Sequence, residues 1–340
     1  MRITRETLIR IARETAQARM FNDPDLIAAY LIGSLLTDEP FLGGTTDIDL
    51  VLVHAHTTPL RREIVKLPND FHLDITYRAR QEYDPPRELR INPWLGYEIY
   101  DPMLLYEKEH FFEFVQAGVR AGSSFHQPAL VIQRSLRLHK HGRQIWTDLQ
   151  DSGTKPKPNQ VGKYLKSIYH AANAIAELNG PPLPERRLLL VFPKRAEAID
   201  HPSLTAGLLG LLGAPALDTE SLASWLPEWE ISYLAAVENP QRDPRIHPAR
   251  MPYYYKAFEA MLGSEYPTAM LWPLMHTWTL AATVLPDDKN TAWEKACTKL
   301  GLGTVDFSTR IQGLDHYFDE IEELLEKMAA AHGININEFP

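Results

Sequence analysis

Two short segments carry most of the structural information in this chain: Leu31-Ile32-Gly33-Ser34 and, after a spacer of twelve residues, Asp47-Ile48-Asp49-Leu50-Val51. The first closes an apolar run and predicts a buried strand that ends in a tight turn. The second alternates carboxylates with aliphatic residues, which also predicts a strand. Side chains two positions apart on a strand share a face. The two aspartates therefore point to one side, and Ile48 and Leu50 point the other way, into the core.

Two carboxylates on one strand face repel each other, and a divalent cation converts that repulsion into a set of ligands. A third carboxylate, Asp74, lies on another predicted strand, residues 71–77. Together with Asp47 and Asp49 it would complete a site for two Mg²⁺ ions, which suits in-line displacement at phosphorus. Gly33 allows the backbone to approach a phosphate closely, and Ser34 with the following backbone N–H groups can donate to phosphate oxygens.

Composition limits the classes of partner. The net charge is −9, so a long nucleic acid is not expected, because duplex binding needs a surplus of Lys and Arg. A single nucleotide stays compatible with this charge, since bound Mg²⁺ screens its phosphates. The lone cysteine, Cys297, excludes an intrachain disulfide and a multi-cysteine zinc site. No apolar run reaches the length of a membrane span and the N-terminus lacks a signal-peptide pattern, so we expect a cytoplasmic protein without a membrane partner.

Periodicity along the chain predicts an α+β fold. An amphipathic helix over residues 4–20 precedes three strands, and helical patterns dominate afterwards. The predicted strands cover residues 26–32, 47–53 and 71–77, and the predicted helices include residues 110–121, 130–150 and 161–178. A Gly- and Pro-containing polar linker over residues 151–160 separates a small mixed-sheet domain, 1–150, from an α-helical domain, 151–340. The cluster Tyr253-Tyr254-Tyr255 and the tryptophans after it are interpreted as core.

The combination of Gly33, Ser34, Asp47, Asp49 and Asp74 resembles the DNA polymerase β-like nucleotidyltransferase superfamily. That pattern is a hydrophobic residue, Gly, Gly or Ser, a variable spacer, Asp-hydrophobic-Asp and a later carboxylate on another strand. The resemblance covers residues 31–75. It implies that residues 1–150 form a nucleotidyltransferase domain with the three aspartates as Mg²⁺ ligands, and that residues 151–340 close over nucleotide and acceptor. The implied reaction moves AMP from ATP, or another NTP, to a hydroxyl of a small-molecule acceptor and releases pyrophosphate.

Within that superfamily the chain is most similar in style to aminoglycoside adenylyltransferases, which suggests an aminoglycoside-like acceptor. The segment Pro86-Arg87-Glu88-Leu89-Arg90 leads into Trp94-Leu95-Gly96-Tyr97-Glu98. The resemblance implies that Glu98 is the catalytic base, although the intervening length differs from the family pattern, and Glu88 is the alternative. Asp74 is a further candidate, because a carboxylate beside the metals can accept the proton of the acceptor hydroxyl.

The helix Val161–Tyr169 resembles the one that, in the same enzymes, delivers a cation to the triphosphate. The matching basic residues are Lys163 and Lys166, which share a helix face, and Arg187 after the following loop. A triphosphate carries more negative charge than two metal ions offset, so additional cations have a clear purpose there.

Two other functions fit the same motif. One is a nucleotidyltransferase of the toxin–antitoxin type that modifies a protein or tRNA, although such enzymes are much shorter than this chain. The other is a catalytically silent nucleotide-binding regulator, against which the complete carboxylate set argues. Nothing in the sequence indicates the oligomeric state.

Overall fold

The computed structural model describes residues 3–58, 60–150, 156–303 and 306–339, with residues 122–124 described by their backbone. Contacts divide the chain into two units. The sheet unit comprises Met1–His126 and Ala249–Ala257, and the helical unit comprises Gln127–Pro248 and Phe258–Pro340. The predicted α+β class is confirmed, since strands occupy the first unit and helices the second.

The division differs from the boundary expected at residue 150. The helix α4, Pro128–Thr147, packs along α5, Pro158–Ala176, inside the helical unit. Residues 127–150 belong to the helical unit because the apolar face of α4 is buried against α5. The polar composition after residue 150 therefore does not mark the boundary between the units. The first half of the predicted linker, residues 151–155, lies outside the described residues.

In the sheet unit, the described residues form one mixed five-stranded sheet in the order β3-β4-β2-β1-β5. The strands β2 and β4 run parallel, and the other neighbours are antiparallel. The elements are α1 Arg5–Asn22, β1 Leu26–Ile32, β2 Asp47–His54, β3 Arg62–Lys66, β4 His72–Ala79, α2 Leu95–Tyr100, β5 Met103–Glu107 and α3 Phe111–Arg120.

The helix α1 covers one face of this sheet. It begins where the Thr4 side chain accepts a hydrogen bond from the backbone N–H of Thr7, and apolar residues at intervals of four, such as Leu8 and Ala12, lie fully buried. They pack against Ile48 and the other even-numbered apolar residues of β2. Because side chains alternate along a strand, Asp47 and Asp49 project from the opposite face, as predicted.

The predicted strands at 26–32, 47–53 and 71–77 are confirmed as β1, β2 and β4. The strands β3 and β5 were not predicted. Both lie at the edges of the sheet. β3 reads Arg-Glu-Ile-Val-Lys with half-buried side chains, so it lacks the apolar alternation that marks a strand with one buried face.

The helical unit is built around α5, which α4, α10 and α12 contact. Its remaining helices are α6 Leu188–Glu197, α7 Ser203–Leu211, α8 Thr219–Val237, α9 Met251–Leu262, α10 Leu271–Ala282, α11 Thr291–Lys299 and α12 Asp306–Ala331, with the first seven residues of α9 assigned to the sheet unit. Trp272 and Trp278 are buried, which confirms that these aromatic residues belong to the core. None of the described helices has both the length and the apolarity to cross a bilayer.

Candidate active site

The candidate site lies on two neighbouring strands, on the sheet face opposite α1. In the parallel register of β2 and β4, Asp47 is opposite His72 and Asp49 is opposite Asp74. All four side chains therefore project from the same face of the sheet. Asp47, His72 and Asp74 are buried, and Asp49 is partly exposed. The three carboxylates expected from the sequence are thus brought onto one surface.

Three of these residues can hold a metal ion together. The ligand atoms of Asp47, His72 and Asp74 all lie within 4.8 Å of one another. Carboxylate oxygens suit Mg²⁺, whereas an imidazole nitrogen is more typical of transition metals, so this donor set fits a divalent cation and Mg²⁺ stays a prediction. His72 was missed in the sequence, although its position two residues before Asp74 on one strand places it on the same face.

Asp74 is held by two arginines. Arg62 of β3 donates from Nε to Oδ1 at 2.7 Å and from Nη2 to Oδ2 at 2.5 Å, and Arg250 donates from Nη1 to Oδ2 at 2.6 Å. Burial alone would raise the pKa of the Asp74 carboxyl, but the hydrogen bonds from Arg62 and the charge of Arg250 outweigh it and hold that pKa below its usual value. Asp74 is therefore ionised and well partnered.

Asp49 has the opposite electrostatic environment. Burial and the negative charges of Asp47 and Asp74 raise the pKa of its carboxyl well above the usual value, and the two arginines compensate only in part. Additional positive charge would therefore favour ionisation of Asp49. A bound divalent cation would supply it.

Gly33 packs directly on Asp49. Its φ is +81°, and a Cβ built on it would lie 2.0 Å from Oδ2 of Asp49. Only glycine combines this backbone conformation with so close an approach. Next to it, Ser34 Oγ lies 2.7 Å from Oγ1 of Thr46, the residue before β2. The Gly-Ser turn is thus joined to the carboxylate strand, and its role in phosphate binding stays a prediction.

The second stretch of the sheet unit, residues 249–257, is called the returning segment. It contributes Arg250, which binds Asp74. The Tyr253 ring lies edge-on to His72, with 5.3 Å between the ring centroids. Lys256 donates from Nζ to Oδ2 of Asp70 at 2.8 Å. The tight Gly43-Gly44 turn before β2 accommodates it, because a Cβ on Gly43 would lie 2.1 Å from the backbone oxygen of Lys256. The returning segment therefore completes the polar surroundings of the carboxylates.

Glu98 lies in α2 and binds Arg78, which donates from Nη2 to Oε2 at 2.7 Å. Arg78 follows Asp74 by four residues on β4, so it shares the same face about 13 Å further along the strand. The alternative base, Glu88, is exposed in the short turn Pro86–Ile91. The base assignment to Glu98 stays a prediction.

The three predicted phosphate-binding cations belong to the helical unit. Lys163 and Lys166 are exposed on α5, and Lys163 Nζ lies 3.4 Å from Oδ2 of Asp148. Lys166 lies near the ring pair His141 and His170. Arg187 is partly exposed at the end of the turn Glu185–Arg187. Their assignment to nucleotide binding stays a prediction.

No protein-family model matches this sequence, and no curated protein does so. Among solved structures, the chain is similar to a nucleotidyltransferase-like protein from Exiguobacterium sibiricum, with 13% sequence identity over 59% of this chain and 67% of that chain and a TM-score of 0.28. A likeness of this size carries no functional weight. The assignment below therefore depends on the residues of this chain.

Proposed function

We propose that this protein is a metal-dependent nucleotidyltransferase that moves AMP from ATP to a hydroxyl group of a small molecule, with aminoglycoside-like compounds as the first acceptors to consider. The observation that supports it is the carboxylate surface of β2 and β4, with Asp49 seated against the glycine of a Gly-Ser turn. Burial and the neighbouring carboxylates raise the pKa of Asp49, so a bound cation would favour its ionised form. A surface of this kind is suited to a metal-bound phosphate group.

In the proposed reaction the acceptor oxygen forms a bond to the α-phosphorus, the bond from that phosphorus to the bridging oxygen breaks, and pyrophosphate leaves with the electron pair. Asp47 and Asp49, together with His72 or Asp74, would hold the divalent cations. When bound, these cations offset the negative charge of the triphosphate. Ser34 and the backbone N–H groups of the turn would donate to phosphate oxygens.

The decisive experiment is a screen of hydroxyl-bearing acceptors with ATP and other NTPs in the presence of Mg²⁺ or Mn²⁺. Pyrophosphate release and a product heavier by one nucleoside monophosphate are the expected results. Asp47→Asn should abolish both signals, whereas Asp101→Asn, which removes an exposed carboxylate, should keep them. The acceptors tested also include proteins and tRNA. If no combination of NTP, metal and acceptor gives turnover, the proposal is wrong.

Glu98 is proposed as the base that takes the proton of the acceptor hydroxyl. The competing candidate, Asp74, already accepts three guanidinium hydrogen bonds, and its lowered pKa makes it a weak proton acceptor. Glu98→Gln should lower turnover by about 10²–10⁴ and leave ATP affinity unchanged, because an amide cannot accept the proton. Steady-state kinetics and calorimetry with ATP measure the two quantities.

The exposed Glu88→Gln serves as the control and should leave turnover near that of the unmodified protein. A metal ligand would shift the Mg²⁺ concentration for half-maximal rate, and a base would not. Near-normal turnover in Glu98→Gln would show that Glu98 is not the base and serves only as the ion-pair partner of Arg78.

A further inference from the structure

We infer that Arg250, together with Arg62, binds the phosphate groups of the nucleotide, and that Asp74 acts as a positioning residue for these two guanidinium groups. The inference rests on the proposed function and names the part of the site that meets the triphosphate. Both arginines belong to the sheet unit. Neither was a candidate from the sequence.

The first observation is a buried donor with nothing to bind. The side chain of Arg250 is 6% exposed, and its Nε–H is buried without a hydrogen-bond partner among the described residues. A buried polar group left unpaired destabilises the folded protein. Proteins keep such a donor where an acceptor arrives with a ligand, and phosphate oxygens are strong acceptors for guanidinium groups.

The second observation is the balance of charge at Asp74. One carboxylate faces two guanidinium groups, and Arg62 alone already binds both of its oxygens. The charge of Arg250 is thus in excess of what Asp74 needs. It also acts on Asp47, so it lies within the carboxylate cluster itself. A buried guanidinium beside a metal-binding surface, with a donor left over, is suited to an anionic ligand.

The third observation is that Arg250 is fixed in orientation. Its guanidinium carbon lies 5.7 Å from the Tyr253 ring centroid and 5.6 Å from that of Tyr254, over both rings. These contacts and the bond to Asp74 hold it before a ligand arrives. Preorganised donors of this kind contribute strongly to binding and to the stabilisation of charge in a transition state.

The arrangement has a consequence that a structural ion pair lacks. The arginines bind the oxygens of Asp74, and their charge opposes the binding of a metal ion alone. Once a triphosphate is present, they gain phosphate oxygens as acceptors. Removing a guanidinium should therefore strengthen the binding of a metal alone and weaken the binding of phosphate, two changes of opposite sign.

The test uses the full chain with Arg62→Gln and Arg250→Lys. The control is Arg61→Gln, which removes a neighbouring cation that is 69% exposed and pairs with Glu82 instead. Mn²⁺ binding without nucleotide is followed by electron paramagnetic resonance, and pyrophosphate binding at saturating Mn²⁺ by calorimetry. Both variants should lose about ten- to a hundredfold in pyrophosphate affinity. Affinity for Mn²⁺ alone should rise by about threefold or more in Arg62→Gln, because a repelling charge is removed, and should change less in Arg250→Lys, which keeps its charge.

The control should change neither quantity. If both affinities fall together in the variants, or neither moves, the inference is wrong and the arginines form a structural ion pair. If Arg250→Lys does not fold, Arg62→Gln decides the question, since Arg62 is half-buried on an edge strand. An unmodified protein that binds neither Mn²⁺ nor pyrophosphate would instead contradict the proposed function, which keeps the two failures distinct.

Discussion

Asp49 and Asp74 are paired across β2 and β4, yet they have opposite electrostatic roles. Asp74 is neutralised by arginines, and its pKa lies below the usual value. Asp49 is surrounded by like charge, and its pKa lies well above the usual value. Of the two, Asp49 gains more from an added cation, because the cation offsets a repulsion that the two arginines balance only in part. The position of that carboxylate is set by Gly33.

The first prediction at the residue scale concerns Gly33→Ala. The new methyl group would take the place of Oδ2 of Asp49, and the backbone φ of +81° is strained for alanine. We expect a loss of stability of about 1–3 kcal/mol from the strain and, in addition, a loss of Mn²⁺ binding from the displaced carboxylate. Denaturant unfolding and metal titration measure the two effects.

Gly44→Ala is the matched control. Its φ of +72° is also positive, but nothing lies within 4 Å of its added methyl group. It should lose some stability from backbone strain and keep its metal affinity. Equal metal binding in the two variants would show that Gly33 does not position Asp49.

At the scale of helices and strands, the sequence predicts elements where one face is buried. The apolar run of β1 and the alternation in β2 and β4 are visible because their apolar residues fill the core, and the positions of all three aspartates follow from the alternation. β3 escapes prediction because an edge strand with half-buried charged residues has no such alternation. Arg62 was missed with it, so the neutralisation of Asp74 could not be foreseen.

Helix packing adds a pH-dependent element where α4 meets α5. The rings of His141 and His170 lie 4.4 Å apart between centroids. Burial, and then the charges of His141 and Lys166, lower the pKa of His170 from 6.5 to about 3. In the unfolded chain the same histidine binds a proton below its usual pKa. Its neutral state in the folded protein therefore favours folding fully above pH 6.5 and progressively less as the pH falls towards 3.

His170→Gln should flatten this dependence, because glutamine does not titrate. Below the usual histidine pKa, the unmodified protein should lose about 1.4 kcal/mol of unfolding free energy per pH unit through this residue, and the variant should lose correspondingly less. Urea unfolding over a pH series measures the slope. His316→Gln, at an exposed position of α12, should keep the original slope. An unchanged slope in His170→Gln would mean that the ring is protonated in the folded protein.

At the scale of the whole molecule, the sheet unit is discontinuous in sequence. Arg250 bonds to Asp74 across 176 positions, and Lys256 bonds to Asp70 across 186. No periodic pattern connects residues so far apart. The aromatic run at 253–255 could therefore be interpreted as core from its composition, but its neighbour Arg250 could not be assigned to the site. Closing so long a loop costs conformational entropy that the contacts of the returning segment must offset.

This topology predicts which amides lose protection together. Leu8 is fully buried between α1 and the sheet, and Leu8→Ala should lower the stability of the sheet unit by about 2–5 kcal/mol. If the returning segment folds with that unit, the amides of residues 253–257 should exchange faster in this variant, along with those of β1, β2 and β4. Leu325→Ala, at a fully buried position of α12, should leave them unchanged. Hydrogen exchange with mass spectrometry on the intact protein distinguishes the two cases. If residues 253–257 respond to Leu325→Ala and not to Leu8→Ala, Arg250 is not anchored by the sheet, and the site would have to be assembled without it.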